Sequence, residues 1–480
     1  MSLRDKTDIQ PPVCAQRPKE LTIHGDTRID KYYWLREREN PEVIAYLEAE
    51  NAYTDTMMSH LKDFQEKLFQ EMKGRIKEQD MSVPYFDNGY WYYTRYDVGK
   101  EYPIYCRKKG TLEADEEILL DVNELAAPHD YYHVNSLSVS PDNKWLAFGE
   151  DTLSRRKYTI RFKNLETGEI LPERILNTTG GATWAADSKT VFYTAKDPVT
   201  LRAYKVFRHV VGTDPAEDVE VFHEADETFI CGVGKTRSQK YIVIASWQTV
   251  STEYRYLPAD QPEGEWKVFQ PRQRDLEYHI DHHEGKWYVR TNLDAQNFRL
   301  METPEGATTK ENWKEVLPHR EDVYLESIDV FKDFIALEER INGIVHLRIL
   351  PLTDELEDHS IEFRDEAYVA YVGTNPQFDT KLLRIGYQSM TTPPTVYDYD
   401  PRTRQLELKK QQEVLGDFSP ENYVSERLYA PARDGVRVPI TLVYRKGFRR
   451  DGSSPLLLYG YGSYGYSLDP SFSTTRLSLL

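Results

Sequence analysis

The feature that most constrains this chain is a short unit that returns seven times. It is a turn, often ending in Lys, followed by about four strand residues. It reads DNGYWYY from Asp87, DNKWLAF from Asp142, DSKTVFY from Asp187, SQKYIVI from Ser238, EGKWYVR from Glu284, FKDFIAL from Phe331 and DTKLLRI from Asp379. The third residue of each unit falls at 89, 144, 189, 240, 286, 333 and 381, so the period is about 45–55 residues. Repeats of this length made of strands signal a β-propeller with four strands per blade. Later strands, such as YTIRFKNLETGE from Tyr158 and TVYDYDPRTRQ from Thr395, close in polar hairpin turns. The reading is therefore mainly β, with a seven-bladed propeller over residues 77–415. A stack of β-sandwiches is the rival, disfavoured because the spacing persists through seven units without a linker.

The segment before the repeat differs. Residues 1 to about 20 are polar and contain prolines, which predicts loose order. HGDTRIDKYYWLR (24–36) is a turn followed by an aromatic cluster. Pro41 suits a first helical turn, and Val43, Tyr46, Leu47, Tyr53 and Met57 roughly follow the helical period. Leu61, Phe64, Leu68, Met72 and Ile76 continue at three- and four-residue steps. Residues 1–76 thus read as a helical extension.

Composition narrows the function classes. At 480 residues the chain is too long for one ordinary core. With 79 acids against 61 bases, the formal charge of −18 disfavours nucleic acid and anionic membranes and would draw in a cationic substrate. No run of about 18 apolar residues is present. The start, MSLRDKTDIQPP, has no apolar stretch of the secretory kind. Cys14, Cys106 and Cys231 show neither metal nor disulfide spacing, which fits a reducing, cytoplasmic compartment.

The repeat ends near 415. Gly416 to Val424 is turn-rich and reads as a linker, and ARDG (432–435) is a turn between two strands, the second running from Val438 to Tyr444. Leu456, Leu457 and Leu458 form a short apolar run closed by glycines, as a parallel strand buried on both faces would read. Gly460, Gly462 and Gly465 then alternate with Tyr459, Tyr461, Tyr464 and Tyr466, a pattern suited to a loop that brings backbone close to a ligand between rigid phenols. Strand, turn, strand, glycine turn and buried strand is how many α/β-hydrolase domains begin. Residues 416–480 are expected to be the first strands of one. The Leu456 strand would have an open edge and uncovered faces, an aggregation hazard.

The stretches HGDTRIDKYYWLR (24–36), DTLSRRKYTIRFKNLETG (151–168), YQSMTTPP (387–394), ARDGVRVPITLVY (432–444) and LLLYGYGSYG (456–465), in that order, carry a resemblance. The chain resembles the oligopeptidase B branch of the prolyl oligopeptidase family of serine peptidases, from about residue 10 to 480. The resemblance implies a helical extension packing on a hydrolase domain, and a seven-bladed propeller capping that domain. It also implies cleavage of short peptides after Lys or Arg. Serine peptidases need a nucleophile, a base and a group that orients the base. In α/β-hydrolases the serine sits in a G-x-S-x-G turn, and this sequence contains none; Gly465-Tyr466-Ser467-Leu468-Asp469 lacks the second glycine. The family places nucleophile, acid and base well beyond this loop, so all three are expected past residue 480, and the 480 residues are expected to be inactive alone.

What the resemblance assigns within the chain is Tyr461, as the loop phenol that donates to the developing oxyanion. Such a donor can be worth roughly 2.7–4 kcal/mol of transition-state stabilisation. Tyr464 matches a position walling the primary specificity pocket. Asp469 matches an acid that favours a basic residue beside the cleavage point. The family often has a second acid two residues on, where this chain has Ser471, which weakens any dibasic preference. No cofactor or metal is implied: His279, Asp281, His282 and His283 lie close in sequence, but adjacent residues on a strand point to opposite faces. Arg155 and Arg156 are candidates for ion pairs with the hydrolase domain. The expected partners are short basic peptides, and the expected state is a monomer. The alternatives are a non-enzymatic propeller binding module with a vestigial hydrolase segment, or a dipeptidyl or acylaminoacyl peptidase, which these motifs fit less well.

Overall fold

A computed structural model describes residues 9–480 of the chain. The opening MSLRDKTD, on which part of the reading of the N-terminus rests, lies outside the described residues. Two compact units form, Met1–Ile76 with Thr474–Leu480, and Lys77–Ser473. No helix among the described residues is long and apolar enough to cross a membrane.

The smaller unit begins with a two-stranded hairpin, Lys19–Ile23 and Asp26–Asp30, so the expected loose order stops before residue 20. Its turn places His24 and Gly25 at φ 54° and 81°. The buried Trp34 donates its indole N–H to the Ala15 carbonyl at 2.9 Å and packs beneath the Arg17 guanidinium. Asn40 caps the first helix, Pro41–Met58, by accepting from the Glu42 amide, with Pro41 at the first helical position. A one-turn 3-10 segment leads into the second helix, Lys62–Lys73. Arg75 donates to the Thr474 carbonyl and the Ser478 hydroxyl, and Ser478 donates to Glu71, which fastens the C-terminal residues to this unit. The apolar positions that set the helical period are only partly covered. Val43 is buried, whereas Leu47 and Phe64 are 53% and 61% exposed.

The larger unit is a β-propeller built from antiparallel sheets in chain order. Every one of the seven turn units lies between two paired strands. Where the turn is tight, a residue takes the left-handed conformation: Asn88, Asn143, Ser188, Gln239 and Glu284. Asp187 shows why an acid recurs there, since its carboxylate accepts from the amides of Lys189 and Thr190 and ties the turn.

The expected seven separate blades are not what forms. Five sheets stand alone, one of five strands and four of four strands, and between the first and second of these lies one continuous sheet of seven strands. The strand Ile175–Trp184 makes it continuous. Its start pairs with Tyr158–Asn164 and its end with Thr190–Lys196, with register shifts on both sides. Gly180 and Gly181 sit at this break. Gly180 is at φ 93°, and a Cβ on Gly149 would lie 2.5 Å from the Gly180 Cα. The two backbones meet closely enough to exclude a side chain.

Buried apolar clusters stitch each sheet to the next. Tyr92 and Leu120 pack with Leu146 and Phe148, Phe192 with Ile242, Tyr256 and Phe269 with Trp287, Leu300 with Leu337, and Ile349 with Leu383. No such cluster among the described residues joins the last sheet to the first. That junction is polar. Lys410 bridges both carboxylate oxygens of Asp80 at 2.7 Å, Lys77 pairs with Glu413 at 2.8 Å, and Arg384 donates to the Pro84 carbonyl at 2.7 Å.

After the last sheet, Tyr423–Pro431 and Arg437–Arg445 form a two-stranded hairpin closed by the ARDG turn, with Gly435 at φ 87°. Among the described residues after 416 this hairpin is the paired-strand structure that forms, and a hydrolase domain is not shown. The Leu456–Leu458 strand does not form. The three leucines lie in irregular chain at 76%, 73% and 81% exposure. A parallel strand draws its stability from neighbours on both edges and layers on both faces, and none reaches this run.

Candidate functional site

Two places in the larger unit hold chemistry. The first is the tyrosine–glycine loop. Gly462, Tyr464 and Gly465 all have positive φ, at 76°, 56° and 65°. For a bulky residue such as Tyr464 this conformation is strained, the kind of feature that gathers at functional sites. The Tyr466 amide donates to the Ser463 carbonyl at 3.0 Å, and Tyr461 and Tyr466 meet edge to face at 5.6 Å. Tyr461 is 55% exposed and Tyr464 90% exposed.

The far end of the loop is fastened. Asp469 accepts from Arg340 on the strand Phe334–Ile341 at 2.6 Å and 3.4 Å. The Phe472 amide donates to Gln388 at 3.0 Å, and the Phe472 ring packs against Phe418. Gln388 belongs to YQSMTTPP (387–394), so one sequence motif anchors the exit of another. No hydrogen bond or ring contact among the described residues links Tyr461, Tyr464 and Asp469 to one another. They share a loop, not a cluster.

The second place is a cavity of about 1410 Å³ lined by the first strands of successive sheets, including Ser138, Lys235, His279, Asp281 and Asp329. No residue of the tyrosine–glycine loop lines it. Its polar centre is Arg237, just after the strand Ile230–Lys235. The Arg237 amide donates to Asp281, while its guanidinium holds Asp329 and the Asn375 carbonyl and stacks over Phe331 at 4.5 Å. One residue, through its amide and its guanidinium together, thus reaches the next three sheets. Burial pushes the Asp281 carboxyl up to about 6. Burial also raises the Asp329 carboxyl, against the pull of Arg237, and lowers Lys235.

The histidines suggested by the sequence go separate ways. His279 meets the Tyr254 hydroxyl at 3.0 Å, His282 lies between Ser238 and Glu305, and His283 bonds the Lys332 carbonyl at 2.8 Å. No group of three or more potential ligands among the described residues is set to hold a metal. Arg155 and Arg156 are exposed, and their backbone amides are held by Asp151. Arg237 escaped the sequence reading. Its partners lie 44, 92 and 138 residues away, and nothing local marks it.

Residues 11–412 match the family model for the prolyl oligopeptidase N-terminal β-propeller domain. The chain belongs to the prolyl oligopeptidase family. It is 44% identical to dipeptidyl aminopeptidase BI of Pseudoxanthomonas mexicana, over 98% of this chain and 67% of the relative. It is 34% identical to protease 2 of Moraxella lacunata, over 98% of this chain and 68% of the relative. Oligopeptidase B from Trypanosoma brucei, solved in a closed form with covalently bound antipain, superposes with a TM-score of 0.91 at 30% identity, over 98% of this chain and 70% of that one. The chain therefore spans about two thirds of the length of these family members, which are named as peptidases.

Proposed function

We propose that these residues are the propeller-bearing part of a serine endopeptidase of the oligopeptidase B type, which hydrolyses short peptides after Lys or Arg. In this reading residues 1–76 are the extension, 77–415 the propeller and 416–480 the first part of the peptidase domain. The nucleophile, acid and base lie outside the 480 residues. The covalently held ligand of the Trypanosoma brucei relative fits a mechanism that passes through a covalent enzyme intermediate. The leucines of 456–458 and the apolar helix positions Leu47 and Phe64, open to solvent here, are surfaces that a peptidase domain would cover.

Chemistry proceeds by acyl transfer from the peptide carbonyl to serine and then to water. Tyr461 donates its phenolic O–H to the oxyanion that develops in each step, Tyr464 walls the pocket for the residue at the cleaved bond, and Asp469 attracts a basic neighbour. The propeller excludes folded proteins, and the acidic surface favours basic peptides. The observation that carries the proposal is the loop itself. Its exit is tied down at Asp469 and Phe472, while the Tyr461 side chain stands 55% exposed with no hydrogen bond shown to its hydroxyl among the described residues. In the complete polypeptide, Tyr461→Phe is expected to lower kcat by about 10²–10³ with little change in KM, as loss of one oxyanion donor does. An unchanged kcat would reject the role.

A second reading has its own support. The 44% identical relative is named a dipeptidyl aminopeptidase, so release of N-terminal dipeptides is the competing activity. Paired substrates decide between them. An endopeptidase accepts an N-blocked peptide, whereas an enzyme that requires a free amine does not.

A further inference from the structure

Asp469 is not a free acid awaiting a ligand. It is already occupied by Arg340, whose side chain is only 14% exposed and which serves two carboxylates at once. Toward Asp469 it offers one good bond at 2.6 Å and one long one at 3.4 Å. Toward Glu326 it offers Nε, and Nη2 at 3.3 Å, and Nη1 also donates to the Gly343 carbonyl at 3.1 Å. Glu326 and Arg340 sit on paired strands of one sheet, whereas Asp469 belongs to the loop. The trio carries one cation against two anions, so it has room for a second cation without stranding a charge.

We propose that Arg340 is an internal stand-in for a substrate's basic side chain. It holds Asp469 while the subsite is empty, and cedes it when a peptide presents Lys or Arg beside the cleaved bond. The exchange is like for like. Asp469 trades one guanidinium for another cation, and Arg340 keeps Glu326 and the Gly343 carbonyl. Arg340 is then a specificity-determining residue, because every basic peptide must compete with it. This also gives a physical cause for a weak preference at that position. The inference rests on the reading of Asp469 given under the proposed function.

The test measures, in the complete polypeptide, kcat/KM for two peptides that differ only in a basic or neutral residue beside the cleaved Lys or Arg. R340M should raise the basic-to-neutral ratio about fivefold, through KM, the scale of a partly exposed ion pair. R340M/E326Q keeps the net charge of the trio and should show the same gain, which separates a freed Asp469 from a merely more acidic surface. D469N should abolish the preference in every background. A ratio unchanged in R340M/E326Q, with D469N still lowering it, overturns the stand-in role and leaves the Asp469 reading intact. A ratio unchanged in D469N overturns the Asp469 reading itself. Should the Arg340 variants not fold, E326Q alone decides. It removes the alternative berth, so Arg340 should stay on Asp469 and the ratio should fall; an unchanged ratio overturns the proposal.

Discussion

His209 makes the propeller's stability depend on pH. Its imidazole is buried, with Nδ1 donating to Asp218 at 2.6 Å and Nε2 standing 3.7 Å from Glu173. Tyr193 donates to the other oxygen of Asp218, and Phe162 stacks on the ring at 5.5 Å. Burial alone would favour the neutral ring, but the hydrogen bond to Asp218 and the nearby negative charge of Glu173 outweigh it and push the group from 6.5 up to about 9. A base whose proton is held more tightly in the folded state stabilises that state below its unfolded value and loses the effect as pH rises through the folded one. The contribution is therefore fully present below about 6.5, disappears by about 9, and amounts to roughly 3 kcal/mol. The assay is urea unfolding from pH 6 to 9.5 for the wild type and H209Q, and the informative quantity is their difference. The buried thiols of Cys106 and Cys231, pushed up to about 12 by burial, also cost stability above their ordinary range, but equally in both proteins. H209Q should be less stable at pH 6 and should lack the decline between 6.5 and 9. Parallel curves would refute the argument.

Two further perturbations probe the architecture. Gly149→Ala places a methyl 2.5 Å from the Gly180 backbone, so it should destabilise the seven-stranded sheet by about 1–3 kcal/mol in thermal unfolding, and a neutral outcome would mean that the close approach is not required. Lys410→Met removes the bridge to Asp80 where the last sheet meets the first without an apolar cluster. It should cost only about 0.5–1 kcal/mol globally, yet raise amide exchange selectively in strands Asp80–Met81 and Gln405–Gln411, whereas a uniform change would contradict a weak seam there.

Features encoded within a few residues were legible in the sequence. The turn units could be read because Asp, Asn and Gly declare tight turns locally, and Pro41 and ARDG announced a helix start and a hairpin for the same reason. The number of separate sheets could not be read. Whether Ile175–Trp184 ends one sheet and begins the next, or does both, depends on Gly180 passing Gly149, a contact between distant strands. The Leu456 run misled because apolar residues describe what a strand wants, not whether neighbours exist. The loop itself was found from its glycines and tyrosines. Its tethers were not, because Arg340 lies 129 residues before Asp469 and Gln388 lies 84 before Phe472. The Arg237 centre was hidden in the same way.

The most direct test of the central claim uses an N-blocked fluorogenic peptide ending in Lys or Arg. The complete polypeptide should turn it over, a serine-directed reagent should abolish that turnover, and residues 1–480 alone should show none. Clear turnover by the 480 residues, or none by the complete polypeptide, would contradict a peptidase that keeps Tyr461 here and its nucleophile elsewhere.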